Sequence, residues 1–335
     1  MIEPIHPIDL IDPTDPTDPE GAWPIQSAQQ LEANAPAFSP FEPQEEATSR
    51  SDLDLPSEHG QSPRMATVRT PNFADSGIFL ALLVMGFVVA TSATGVALHF
   101  HLFGLRDIEQ AKTDTHVAIG TQLLIYVVAL AAAIPLYRAA WGKGFLAGVH
   151  WHFGTARRLF VGLVGIAILA NLLAVLGNLV LPFPKHAPID QMFGTRLDAW
   201  LLFAFGVTVA PFFEEMIFRG FLLPSIATAW DWCVERLTET APRPLDAEGN
   251  PVWSVPAMIF ASLAVSAPFA LMHSAQLAAS WGPLVLLYCV SLILCTVRLI
   301  TRSLAASALV HSTYNFVLFG FMFVETDGFR HLEKM

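Results

Sequence analysis

The chain is short of charge. Only 14% of its 335 residues are Asp, Glu, Lys or Arg, while 53% are hydrophobic. An ordinary soluble domain carries about a quarter charged residues, so this chain cannot cover a globule of its size with a polar exterior. Bases are scarcer than acids, 18 against 29, and no clustered basic surface of the kind that grips nucleic acid is present. Cysteine is rare as well. Cys233, Cys289 and Cys295 form no CxxC pair and no disulfide framework, and those within an apolar run read as small buried hydrophobes.

What the chain does have is apolar runs of membrane length. Ile78–Phe100, Val117–Tyr137, Leu159–Phe183, Val252–Met272, Trp281–Val297 and Ser303–Val324 contain no Asp, Glu, Lys or Arg. A helix crosses a hydrocarbon core of ~30 Å with ~20 residues. A seventh run, Ala199–Trp230, is interrupted by Glu214, Glu215 and Arg219. The fold class expected is therefore all-α: a polytopic membrane bundle of about seven spans, residues 73–335, with membrane lipids as its surroundings.

Residues 1–72 differ in kind. Residues 1–70 hold thirteen acids against three bases, which accounts for nearly all of the net charge of −11. Asp-Pro steps at 12–13, 15–16 and 18–19 oppose helix and sheet. A disordered, solvated tail is expected, with a tail-binding partner as the alternative. The acidic start lacks an apolar core and does not read as a signal peptide. With the N-terminus cytoplasmic, inner flanks would hold eleven Lys and Arg and outer flanks six, the bias that favours this orientation. Short loops and no cleavable signal fit a bacterial inner membrane. The polar stretch Asp231–Asn250 is expected to be the one long loop.

Ionisable side chains in hydrocarbon are costly and are generally paired or functional. Three groups stand out. In Pro211-Phe-Phe-Glu214-Glu215-Met-Ile-Phe-Arg219, Glu215 and Arg219 are spaced for an i,i+4 ion pair. Glu214 points about 100° away, free for proton transfer. For Glu215 and Arg219, a buried network that fixes helix packing is at least as good a reading as catalysis. Phe269 and His273 close one apolar run. His311 and Asn315 share a face of the last run; Asn could stabilise an oxyanion or clamp two helices. The pairs His99/His101 and His150/His152 read as interfacial residues.

Together, in this order on separate spans, the groups resemble the CPBP family of CAAX proteases and bacteriocin-processing enzymes, whose pattern is EExxxR, FxxxH and HxxxN. The resemblance covers about residues 197–324. It implies an all-helical core around a water-filled cavity. Glu214 and His273 would activate water, and His311 and Asn315 would stabilise the oxyanion. Glu215 and Arg219 would orient the site, and Phe269 would pack beneath His273. Either Zn2+ held by Glu214, His273 and His311 or metal-free acid–base chemistry suits these residues. The substrate would be a peptide or protein near the membrane, cut in CAAX-type or leader-peptide processing. A non-catalytic scaffold or self-immunity protein of the same family, and a proton-coupled transporter, are the competing readings. The 58 residues between Glu215 and His273 exceed the familiar spacing and read as an insertion near the cavity mouth. For the three groups to meet, the fourth helix must run on to about Trp230, with Pro211 as a natural kink point.

Overall fold

The computed structural model of the protein describes residues 71–184, 186–246 and 250–334. The tail expected over residues 1–72 lies outside them except for its last two positions. Among the described residues the regular structure is helical, apart from one isolated bridge between Leu245 and Pro251.

Seven principal helices follow one another: α1 (Phe73–His99), α2 (Thr115–Trp141), α3 (Phe160–Asn178), α4 (Arg196–Thr238), α5 (Val255–Leu271), α6 (Trp281–Thr301) and α7 (Leu304–Glu325). Six are long and apolar enough to cross a membrane; α5 is apolar but shorter, at 17 residues. The expected all-α membrane bundle of about seven spans is what the chain forms. Its starts are set by short polar side chains that satisfy the first free N–H groups. Asn72 and Asp75 make a reciprocal box at α1. Asp114, Thr195, Ser254 and Ser303 cap α2, α4, α5 and α7.

The outward faces stay apolar. On α1, Leu80, Val84, Phe87 and Val88 are each more than half exposed, a patch that water would not tolerate and that lipid covers. Between helices the residues are small, as packing in lipid requires. Ala90 on α1 and Ala129 and Ala133 on α2 are buried. A Cβ on Gly86 would lie 2.6 Å from the Ile125 carbonyl, so only glycine lets α1 and α2 approach this closely. Asn171 of α3 donates to the Tyr314 carbonyl of α7 at 3.2 Å.

Helix α4 differs most from its sequence expectation. It does not stop at Trp230 but continues to Thr238, 43 residues in all, and Glu239 ends it in the left-handed conformation. The long loop expected over Asp231–Asn250 therefore begins eight residues late. Its first part is amphipathic, and Asp231 is buried because it receives the Ser254 N–H at 2.8 Å, tying α4 to the start of α5. That contact also sets the register of the two antiparallel helices. Glu214 lies 17 residues before Asp231, and Leu271 lies 17 residues after Ser254, each about 26 Å along its axis. The EE pair and the end of α5 thus come to the same depth. Most of the supposed insertion between Glu215 and His273 is these two helical arms.

Candidate active site

The middle of α4 is wound wider than an α-helix. Phe205–Val209 and Met216–Leu222 are π-helical, on either side of the α-helical Ala210–Glu215. Such segments recur at functional sites, and here a reason is visible. Ala210 donates to the Phe205 carbonyl, five residues back. The next bond in that series would run from residue 211 to Gly206, but Pro211 has no N–H. The Gly206 carbonyl is left open, and Asn315 of α7 fills it, donating from Nδ2 at 2.7 Å. Gly206 also has no room for a side chain, since a Cβ there would lie 2.9 Å from the Phe319 ring of α7. Pro211 is thus less a kink than the cause of a polar weld between α4 and α7.

One turn on, Glu215 is fully buried and accepts from three donors. Arg219 Nη1 lies 3.0 Å from Oε1, His311 Nδ1 3.0 Å from the same oxygen, and Ser307 Oγ donates to Oε2. The expected Glu215–Arg219 ion pair is present. Arg219 is fixed further by α6, where Nη2 donates to the Ser291 carbonyl at 3.1 Å and to Ser291 Oγ at 2.7 Å. Its guanidinium lies over the Phe269 ring at 4.4 Å, a favourable cation–π contact.

Glu214 has a different setting. It keeps 9% exposure where Glu215 keeps none, so of the two only Glu214 is open to the surroundings. Its Oε2 is 3.7 Å from His311 Nε2, too long for a hydrogen bond. Since a carboxylate can only accept, His311 donates from Nδ1 to Glu215, and its Nε2 faces Glu214. His311 therefore stands between the two glutamates.

Phe269 joins the third motif to the others. Its ring packs on Phe218 (5.3 Å), His273 (5.3 Å) and His311 (5.8 Å). His273 donates from Nδ1 to the Phe269 carbonyl at 2.9 Å, which leaves its Nε2 free. The structure thus gathers Glu214, Glu215, Arg219 and His311 directly and brings His273 up to them through Phe269. It places the Asn315 amide on Gly206. Among the described residues, no three His, Cys, Asp or Glu side chains group to hold a metal ion. Nδ1 of His311 is engaged by Glu215, Nε2 of His311 and Glu214 face one gap, and His273 stands across the Phe269 ring.

Sequence reasoning missed the hydroxyls Ser307 and Ser291. Ser307 had a signal, lying four residues before His311 on the same face. It also missed Tyr126 of α2, which stacks on Phe213 at 3.8 Å beside Glu214, and whose neighbours contain no motif.

The described residues thus form a polytopic membrane bundle that buries a carboxylate–histidine–arginine cluster. Residues 196–317, a little over a third of the chain, match the model of the family described as type II CAAX prenyl endopeptidase Rce1-like. The family recognised from the three motifs is the one this comparison finds, and it is a family of membrane proteases. Neither a curated protein nor a solved structure matches the chain significantly.

Proposed function

We propose that this chain is an intramembrane endopeptidase that hydrolyses a peptide bond near the C-terminus of a lipid-modified substrate, using water activated at Glu214. The supporting observation is His311 poised between a partly open glutamate and a fully buried one. The 3.7 Å gap between Glu214 and His311 Nε2 suits a water bound to both. Glu214 takes a proton from that water as its oxygen attacks the scissile carbonyl, and the same carboxyl returns the proton to the leaving amine. Glu215 does for His311 what the buried acid of a catalytic triad does for its histidine: it fixes tautomer and orientation. The free Nε2 of His273 accepts from the attacking water and orients it beside Glu214. Arg219 and Ser307 hold Glu215 in place.

The bundle sits in the membrane with its N-terminus on the cytoplasmic side, following the Lys/Arg bias, so that lipid-modified cytoplasmic C-termini reach the site. The test is cleavage of prenylated peptides by the full-length protein in lipid nanodiscs, read by mass spectrometry. Wild type should release a C-terminal fragment, and Glu214→Gln should not, at equal folded protein. Wild-type cleavage by Glu214→Gln would sink this mechanism. An uncut panel, with Glu214→Gln still complementing the deletion phenotype, would favour a scaffold.

A further inference from the structure

The site has a second buried arginine that no motif contains. Arg298, in the last turn of α6, is 4% exposed. Its Nε is buried without a partner, and it makes no hydrogen bond or ion pair with any described residue. The Nε of Arg219 is likewise buried without a partner, but both of its terminal nitrogens are bonded. A buried cation with nothing to hold is costly, so an anion supplied from elsewhere would repay its retention.

Its position relates it to the catalytic centre. Ser291, Cys295 and Arg298 are spaced i, i+4 and i+7 and share one face of α6, the face on which Ser291 holds Arg219. Ser307 Oγ of α7 donates to the Leu294 carbonyl of α6 at 3.2 Å, which sets the two antiparallel helices level. From there, His311 lies one turn away from the α6–α7 connection and Arg298 one turn toward it. They are therefore about 12 Å apart along the helix axes.

The charges near Arg298 are of both signs. The segment His150–His152 is bound to the start of α7: Leu304 N–H donates to the His150 carbonyl at 3.0 Å, and Ser303 Oγ to the His152 carbonyl at 2.9 Å. Burial, and then the charges of Arg298 and Lys143, push the His150 pKa down to about 3. The nearby Asp246 is ion-paired with Arg302 at 3.0 Å. Glu215, whose charge reaches Arg298, is already engaged by Arg219.

We propose that Arg298 binds the free C-terminal carboxylate of the substrate, so that the enzyme measures its cut from the end of the chain. The inference rests on the endopeptidase reading above. A CAAX terminus carries three residues beyond its modified cysteine, and three extended residues cover ~10 Å. That is close to the ~12 Å axial separation of Arg298 and His311. A lipid phosphate would satisfy the same guanidinium but gives the spacing no meaning.

The experiment pairs prenylated tetrapeptide-ended substrates that differ only in a free-acid or amidated C-terminus. Both are presented to the full-length protein in phosphatidylcholine nanodiscs with and without phosphatidylglycerol. Wild type should prefer the acid by about tenfold in kcat/KM, carried by KM, the scale of one charge-assisted hydrogen bond. Arg298→Gln should bring that ratio toward one, and Arg298→Lys should restore part of it. Equal cleavage of acid and amide by wild type overturns the proposal, and needs no variant to fold. So does an Arg298→Gln enzyme that keeps the preference, or one that loses only its response to phosphatidylglycerol, which would make a lipid headgroup the occupant. Binding of the same peptides to Glu214→Gln separates the two readings. Acid-selective binding that needs Arg298, with no cleavage by wild type, would leave the carboxylate site standing and remove the protease. Binding without acid preference, or no binding at all, removes the site.

Discussion

Glu215 Oε1 lies 3.0 Å from His311 Nδ1 and, on its other side, 3.0 Å from Arg219 Nη1. Adjacent glutamates thereby differ: Glu215 is held by three donors within the protein, and Glu214 by none of them. The two should respond differently to amidation. Glu214→Gln is expected to lower kcat by roughly 10²–10⁴-fold, the range of general acid–base catalysis, with little change in melting temperature. Glu215→Gln leaves Arg219 without its counter-charge and should cost about 3–5 kcal/mol of stability as well as activity. Thermal melts in detergent beside a peptide-cleavage assay check both. Equal destabilisation by the two would mean that Glu214 is also structural.

Ser307→Ala removes one donor from Glu215 and touches no group that meets the substrate. It should lower kcat several-fold through looser orientation of His311, with KM nearly unchanged, and cost about 1 kcal/mol of stability. The pH profile of kcat should move with it, which a purely packing role for Ser307 would not produce. An unmoved profile would remove Ser307 from the orienting network.

The weld between α4 and α7 makes a prediction about two residues at once. Asn315→Ala should orphan the Gly206 carbonyl at a cost of about 1–3 kcal/mol. Pro211→Ala supplies the missing N–H and lets α4 close its own bond to Gly206. Combined with Asn315→Ala, it should recover part of the lost stability, so the double-mutant cycle shows coupling. Simple additivity would show that Asn315 does not answer for Pro211.

Much of this arrangement was legible in the amino-acid order, for a physical reason. In lipid every backbone group must be satisfied within a helix, so the apolar runs had one fold available and the helices appeared where they were expected. The ends were harder to place. Helix α4 runs past Trp230 because Asp231 is held by Ser254, a tertiary contact that no local pattern carries, and the same contact explains how His273 reaches the depth of Glu214. At the site, the i,i+4 spacings announced Glu215 with Arg219 and placed His311 on the face of Asn315. The division of work between the two glutamates depends on which one α6 and α7 cover, and that is decided by Ser291 and Ser307. Serines are common in such helices and carry no mark of their role. Arg298 was visible only as the charge that ends an apolar run, and its burial without a partner is a fact of three dimensions.

His150 gives the chain a stability that depends on pH. It lies in the connection between α2 and α3, outside the spans, at φ +61°. Burial first, and then the charges of Arg298, Lys143 and His152, lower its pKa from 6.5 to about 3, against an opposing pull from Asp246. Between those two values the unfolded chain binds a proton that the folded chain refuses. Stability therefore rises with pH across this window and falls as pH drops from 6.5 toward 3. His150→Asn removes the titrating group, and asparagine tolerates the left-handed backbone, so the contact from Leu304 to the residue-150 carbonyl can persist. Melting temperatures recorded from pH 7 down to pH 4 should fall less steeply for this variant than for wild type. Parallel curves would mean that His150 takes up its proton in the folded protein, and that the cations around it are farther away or better screened than the structure shows.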